Sequence, residues 1–68
     1  MPDPVFKKIE LVGTSGESFS HAVAVAVAKA AETVRNMSWF EVVEQRGGIA
    51  DGKIAQYQVT VRIGFRVE

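Results

Sequence analysis

Cysteine is absent from this 68-residue chain, so no disulfide can brace it. One histidine without any cysteine cannot build a zinc centre of the common structural kind. A dominant charge is missing as well. Eight basic residues stand against eight acidic ones, for a formal net charge of zero. That balance gives no electrostatic footprint for nucleic acid or for an anionic membrane surface. Long hydrophobic runs are also lacking: the longest apolar stretch, Ala22 to Ala28, is far too short to cross a bilayer. Met1-Pro2-Asp3-Pro4 has neither the basic start nor the apolar core of a secretory signal. These absences set the expectation of a soluble, cytoplasmic protein with no nucleic-acid and no membrane partner.

What is present raises a different question. Sixty-eight residues allow one small domain, expected to span 1–68, and a chain of that size buries only about 60% of its extended surface. Small domains need a staple. With disulfides and zinc excluded, association with further copies is the staple left. The composition agrees, because 47% of the residues are hydrophobic. So small a body cannot hide that much apolar surface alone.

Taken in order, Pro2 and Pro4 make an extended lead-in. Val5 to Val12 reads as a strand, with Val5, Ile9 and Leu11 on one face and Phe6, Lys8, Glu10 and Val12 on the other. Gly13 to Ser18 breaks it and turns the chain into a helix. Ser18 is the expected N-cap, with Ser15 and Thr14 as competitors. No dinucleotide or phosphate-loop spacing accompanies the glycines. The spacing predicts a helix over 19–37, with Phe19, Val23, Ala26, Val27, Ala30, Val34 and Met37 on one face. The opposite side holds Ala24, Val25 and Ala28, more apolar than solvent requires, which suggests packing on two sides.

Trp39 to Arg46 reads as a second strand, Trp39, Glu41, Val43 and Gln45 alternating with Phe40, Val42, Glu44 and Arg46. Gly47-Gly48 suggests a bulge or a bend. Asp51-Gly52 is a strong hairpin signal. Ile54 to Val67 is the cleanest strand. Ala55, Tyr57, Val59, Val61, Ile63, Phe65 and Val67 alternate with Gln56, Gln58, Thr60, Arg62, Gly64 and Arg66. The apolar set is expected to cover the helix, and Gly64 is a candidate for a bend. The layout is strand–helix–strand–strand, an α+β unit with a three-stranded antiparallel sheet in the order 1-3-2 over one helix. One helix leaves the Gln56-Gln58-Thr60-Arg62 face open.

Chemistry-bearing constellations are few. Glu41 and Glu44 fall on opposite faces of one strand by simple alternation, so they form no carboxylate pair. His21 stands without a Ser–His–acid or Cys–His spacing, and no metal cluster is visible. The charges read as surface, and no catalytic residue is assigned. The single tryptophan has two uses open to it: a plug for a small core, or a flat face for a ligand. Gln58 can donate and accept hydrogen bonds at once. Arg46 and Arg66 are planar cations suited to phosphate. A stacking plate, an edge reader and an anion clamp are what a flat heteroaromatic nucleotide needs.

Phe6 to Ser15, Trp39-Phe40-Glu41-Val42, Gln45-Arg46-Gly47, Tyr57-Gln58-Val59 and Val61 to Glu68 resemble, in order and spacing, a bacterial dodecin. The resemblance covers almost the whole chain. It implies a small flavoprotein, not an enzyme, assembled as a hollow homododecamer. Its implied function is flavin storage, buffering and photoprotection. By that resemblance, Trp39 stacks on an isoalloxazine ring, with two flavins held between tryptophans of symmetry-related chains. Gln58 reads the pyrimidine edge. Arg46 and Arg66 meet the phosphate of FMN or a coenzyme A, and Glu44 lies near the ribityl chain. The implied cofactor is FMN, with riboflavin or FAD in its place. Gly48 and Gln56 depart from the family, where histidines are common. A shell that binds coenzyme A or a cation, without flavin, is the alternative.

Overall fold

The strand that carries the strongest alternation lies in the middle of the sheet. The computed structural model describes residues 3–68; the first half of the lead-in, Met1-Pro2, lies outside them. The order is β1 (Phe6–Ser15), α1 (Phe19–Ala30), β2 (Met37–Ala50) and β3 (Lys53–Arg66). The sheet order is β1-β3-β2, and both pairings are antiparallel. This is the strand–helix–strand–strand arrangement expected. The hairpin also forms at Asp51-Gly52, whose φ angles of 52° and 73° are both positive. Such a turn matches the twist of the strands it joins.

Several boundaries differ from the sequence reading, and three of the larger shifts have a local reason. β1 does not break at Gly13 but runs on to Ser15. Gly13 is there because the helix rests on it. A Cβ at that position would collide with the carbonyl oxygen of Ala22 and lie 2.9 Å from the Cβ of Ala26. Second, α1 stops at Ala30, not Met37. The chain tightens into shorter-range bonds, Glu32 N–H to Lys29 O at 3.2 Å and Thr33 N–H to Ala30 O at 3.1 Å. Asn36 then enters the left-handed region at φ 62° and ends the turn. Met37 opens β2 instead. Third, β2 continues through Gly47-Gly48 to Ala50, with an irregularity in the ladder after Gly48.

The start of the helix is as expected. Ser18 is the N-cap, and its hydroxyl accepts from His21 N–H at 3.0 Å. The buried row on α1 is Ala22, Ala26 and Ala30, with Val23 and Val27 beside it. Phe19 sits at the rim, edge-on to Tyr57 with ring centroids 5.0 Å apart. Small side chains at a spacing of four let the helix approach the sheet closely.

The core is correspondingly thin. On β3 only Val59, Val61 and Ile63 are buried hydrophobics, although six residues of the alternating apolar series lie on it. Lengths explain this. Twelve helical residues reach about 18 Å. Fourteen strand residues reach about 48 Å. The helix covers the middle of the sheet and no more. Ile49 and Ile54, at the hairpin end, are 79% and 66% exposed. Between α1 and β2 lies an open apolar groove of about 440 Å³ lined by Phe19, Val23, Phe40, Val42 and Val59.

The close contact at Gly13 gives a stability prediction. Gly13→Ala is expected to destabilise by about 2–4 kcal/mol, because backbone on both sides must move. Ser18→Ala is expected to cost about 1 kcal/mol through loss of the cap. Denaturant melts at one fixed protein concentration measure both. An unchanged midpoint for Gly13→Ala would mean that the helix does not rest on β1 there.

Candidate functional site

Strict alternation puts Trp39 and Arg46 on opposite faces of β2, but the structure puts them on the same one. Trp39 pairs with Gly64 and Glu41 with Arg62. The register then shifts between Val42 and Glu44, so that Glu44 pairs with Thr60 and Arg46 with Gln58. Val43 is the extra residue of a bulge, and a bulge reverses the side on which later residues emerge. Trp39, Glu41, Glu44 and Arg46 therefore share the helix-free face with Gln56, Gln58, Thr60, Arg62 and Gly64. This corrects the separation of Glu41 from Glu44. The two still form no pair, because each has its own cation: Glu41 meets Lys8 at 2.7 Å, and Glu44 faces Arg46 at 3.8 Å.

Trp39 is not a core plug. It is 39% exposed and lies across Gly64. A Cβ on Gly64 would overlap Cε2, Cζ2 and Cη2 of the indole. Three consecutive ring atoms at nearly equal distance place that point over the ring face, not beyond its edge. Gly64 thus serves close approach of the indole to the strand. Phe6 meets the indole edge-on, with centroids 5.2 Å apart and planes at 62°. The indole Nε1–H donates to Glu41 Oε1 at 3.3 Å, and the same oxygen accepts from Lys8 Nζ at 2.7 Å. The Lys8 bond first, and then the Trp39 N–H, hold the Glu41 carboxyl below the usual carboxylate value.

A second cluster forms further along the same face. Arg46 Nε donates to Gln58 Oε1 at 2.7 Å, and Gln58 Nε2 donates to Gln56 Oε1 at 2.8 Å. Arginine can only donate, so this chain fixes which end of the Gln58 amide points to Arg46. One N–H and one lone pair of that amide remain for a ligand. Gln56 supports Gln58 directly, a role that its place in the sequence did not reveal.

The site residues do not converge within one chain. Gln58 and the Gly64 beneath Trp39 are six residues apart on β3, roughly 20 Å along the strand. Arg66 lies at the far end from Gln58, where its N–H donates to Asn36 O at 3.1 Å. There it lines an open pocket of about 320 Å³ with Thr33, Arg35, Asn36 and Glu68. Trp39, Gln58, Arg46 and Glu44 share a face, and Arg66 is remote from the last three.

The β1–α1 turn holds one grouping that the sequence did not show. Ser15 Oγ lies 2.7 Å from His21 Nδ1, and Glu17 Oε2 lies 3.1 Å from the same nitrogen. A serine, a histidine and an acid have come together after all, because the turn folds back on the helix. The geometry is not that of a nucleophile. A relay places serine and acid on different ring nitrogens, and here both address Nδ1. Ser15 is buried, and its oxygen accepts from the Glu17 N–H at 2.9 Å. The trio closes the turn. Among the described residues no group of three or more metal-ligating side chains gathers, and no helix is long and apolar enough to cross a membrane.

Comparison with known proteins shows the family and the fold. The family model described as Dodecin matches residues 5–68. A dodecin from Thermus thermophilus is 48% identical over 64 residues, covering 94% of this chain and 93% of that protein. The solved structure of dodecin from Streptomyces coelicolor is similar with a TM-score of 0.94 at 43% identity, covering 100% of this chain and 97% of that one. A further likeness, with a TM-score of 0.82 at 32% identity over 94% and 91% of the two chains, is to calcium dodecin of Mycobacterium tuberculosis, a calcium-chelating antigen with a calcium-binding site.

The Glu41 bonds set a pH dependence. A carboxyl whose value is lowered by folding contributes its stabilisation above the ordinary carboxylate range, and loses it as pH falls through the lowered value. A carbon-detected NMR titration of Glu41 should therefore show a midpoint below that of a peptide glutamate. Lys8→Met should move the midpoint upward. An unshifted Glu41 in the native protein would contradict the Lys8–Glu41–Trp39 chain.

Proposed function

The chain belongs to the dodecin family, and from that premise we propose that it is a flavin-binding protein for storage, buffering and photoprotection. One observation carries the reading. The only tryptophan lies across Gly64 on the helix-free face of the sheet and is 39% exposed there. A large aromatic left there in a chain with so small a core is placed for stacking.

The residues fit an isoalloxazine ligand. Indole is electron-rich, and oxidised isoalloxazine supplies an electron-poor ring whose excited state is quenched by electron transfer from the stacked indole. Gln58, oriented by Arg46 and Gln56, presents one donor and one acceptor to a pyrimidine edge. Arg46 and Arg66 are the candidates for a phosphate, which favours FMN over riboflavin, and Glu44 is the candidate neighbour of the ribityl chain. The roughly 20 Å between Trp39 and Gln58 exceeds one ring system. That separation fits the pocket the family resemblance implies, built from several copies, with two flavins between paired tryptophans in a homododecamer. The uncovered ends of the sheet and the apolar groove beside β2 supply the surface for that assembly.

The mycobacterial relative raises the cation reading. Here Glu10, Glu41 and Glu44 each face a cationic side chain, at 2.9, 2.7 and 3.8 Å, which disfavours a cation on the same face. A shell that holds coenzyme A through Arg66, without flavin, is the competing outcome.

Fluorescence titration separates these readings. Riboflavin and FMN fluorescence should be quenched, with saturation at about one flavin per chain on a particle whose mass light scattering gives as twelve chains. Trp39→Ala should weaken binding by about tenfold or more and abolish most quenching. Arg66→Ala should weaken FMN and leave riboflavin unchanged. Flavin fluorescence left intact on the assembled wild-type particle would refute flavin storage and favour the scaffold. Turnover of reduced nicotinamide with oxygen would instead mark an enzyme.

A further inference from the structure

The indole of Trp39 is held from three directions by residues to which no function has so far been attached. Gly64 lies beneath the six-membered ring, where any Cβ would overlap it. Phe6 packs against it in a T-shaped contact, with planes at 62°. Glu41 accepts its N–H and is itself held by Lys8. Rotation of a tryptophan about its two side-chain bonds changes both the height and the facing of the ring. Gly64 fixes the height, because only a residue without Cβ lets the ring settle on the strand. Glu41 fixes the facing, because the N–H points along one edge of the ring alone.

We propose that Gly64 and Glu41 are positioning residues that preset the stacking plate before a ligand arrives. The proposal rests on the flavin reading only for its consequence in binding. The positioning itself belongs to the ligand-free protein. A plate locked in advance loses little rotamer freedom on stacking, so more of the stacking free energy appears as affinity. Glu41 also occupies the one polar atom of the indole. A ligand then meets the π face and no competing donor. The charged groups about Glu41 are Lys8 on β1 and Arg62 on β3, and both favour the carboxylate that the indole N–H needs.

The sequence gives partial notice of this. Trp-x-Glu on a strand places indole and carboxylate on one face. A glycine that interrupts the polar series Gln56, Gln58, Thr60 and Arg62 signals something lying close above it. Lys8 comes from the far side of β3, and nothing near Trp39 in the chain announces it.

The test begins without flavin. Trp39 is the only tryptophan, so the long-wavelength near-ultraviolet circular dichroism band and the emission anisotropy report its ring alone. Wild-type protein should show a strong, fixed indole signal. Gly64→Ala and Glu41→Leu should each reduce it, while Glu41→Gln, which keeps an acceptor oxygen, should largely preserve it. With FMN, Gly64→Ala and Glu41→Leu should lower affinity by about three- to tenfold and leave the residual complex less fully quenched. Glu41 is half-buried with its side chain 41% exposed and lies outside the core, so Glu41→Leu tests the idea even where Gly64→Ala fails to fold. Wild-type indole signals in an assembled Glu41→Leu, or in a folded Gly64→Ala, would overturn the positioning role. A wild-type protein that leaves flavin fluorescent would overturn flavin storage instead, and the ligand-free indole signals would still decide the positioning.

Discussion

A helix of about 18 Å laid on a sheet of about 48 Å is the constraint from which the rest follows. The helix can seal only the centre of one face, where Ala22, Ala26 and Ala30 meet Val59, Val61 and Ile63. Close approach at Gly13 makes this small contact tight. The ends of β2 and β3, the helix-side face along β2 and the whole opposite face are left uncovered. The molecule is accordingly drawn out, 57 × 20 × 13 Å, with large apolar side chains at its surface. A 7.4 kDa chain of this shape gains much by meeting further copies of itself.

The helix-free face is where chemistry can be placed, and two backbone features decide what stands on it. The bulge at Val43 brings Glu44 and Arg46 to the side that Trp39 and Glu41 already occupy. The missing side chain at Gly64 lets the indole lie flat instead of standing away from the sheet. The face then reads from one end to the other as an aromatic plate, a band of paired charges and an amide relay. Exposed ion pairs of this kind add little stability. Their use here is to fix neighbours: Lys8 holds Glu41, which holds Trp39, and Arg46 holds Gln58.

No single chain closes a pocket over Trp39. The plate and the amide reader are separated by six strand residues, and the arginine at the end of β3 is further from the reader still. Membership of the dodecin family and the spread of these parts lead to the same picture. The proposed function accordingly calls on residues of several copies, to which each chain would contribute oriented components.

The sequence by itself determined a good deal. Perfect alternation in β3, the Asp51-Gly52 turn and the Ser18 cap establish the element order. From that order the 1-3-2 sheet follows, because an up–down–up–down path leaves the third strand between the others. These are local signals, carried by residues a few positions apart. Trp39 and Gln58 stood out by residue type, and the family resemblance implied their proposed roles. Tertiary structure decided the rest. A one-residue bulge has no signature in a run such as Val42-Val43-Glu44, yet it reverses which side chains share a face. The helix gives way after Ala30 to shorter-range bonds, and the left-handed Asn36, whose carbonyl accepts from Arg66 N–H of β3, turns the chain into β2. The three-sided seat of Trp39 joins residues from all three strands, and such contacts exist only once the register is set.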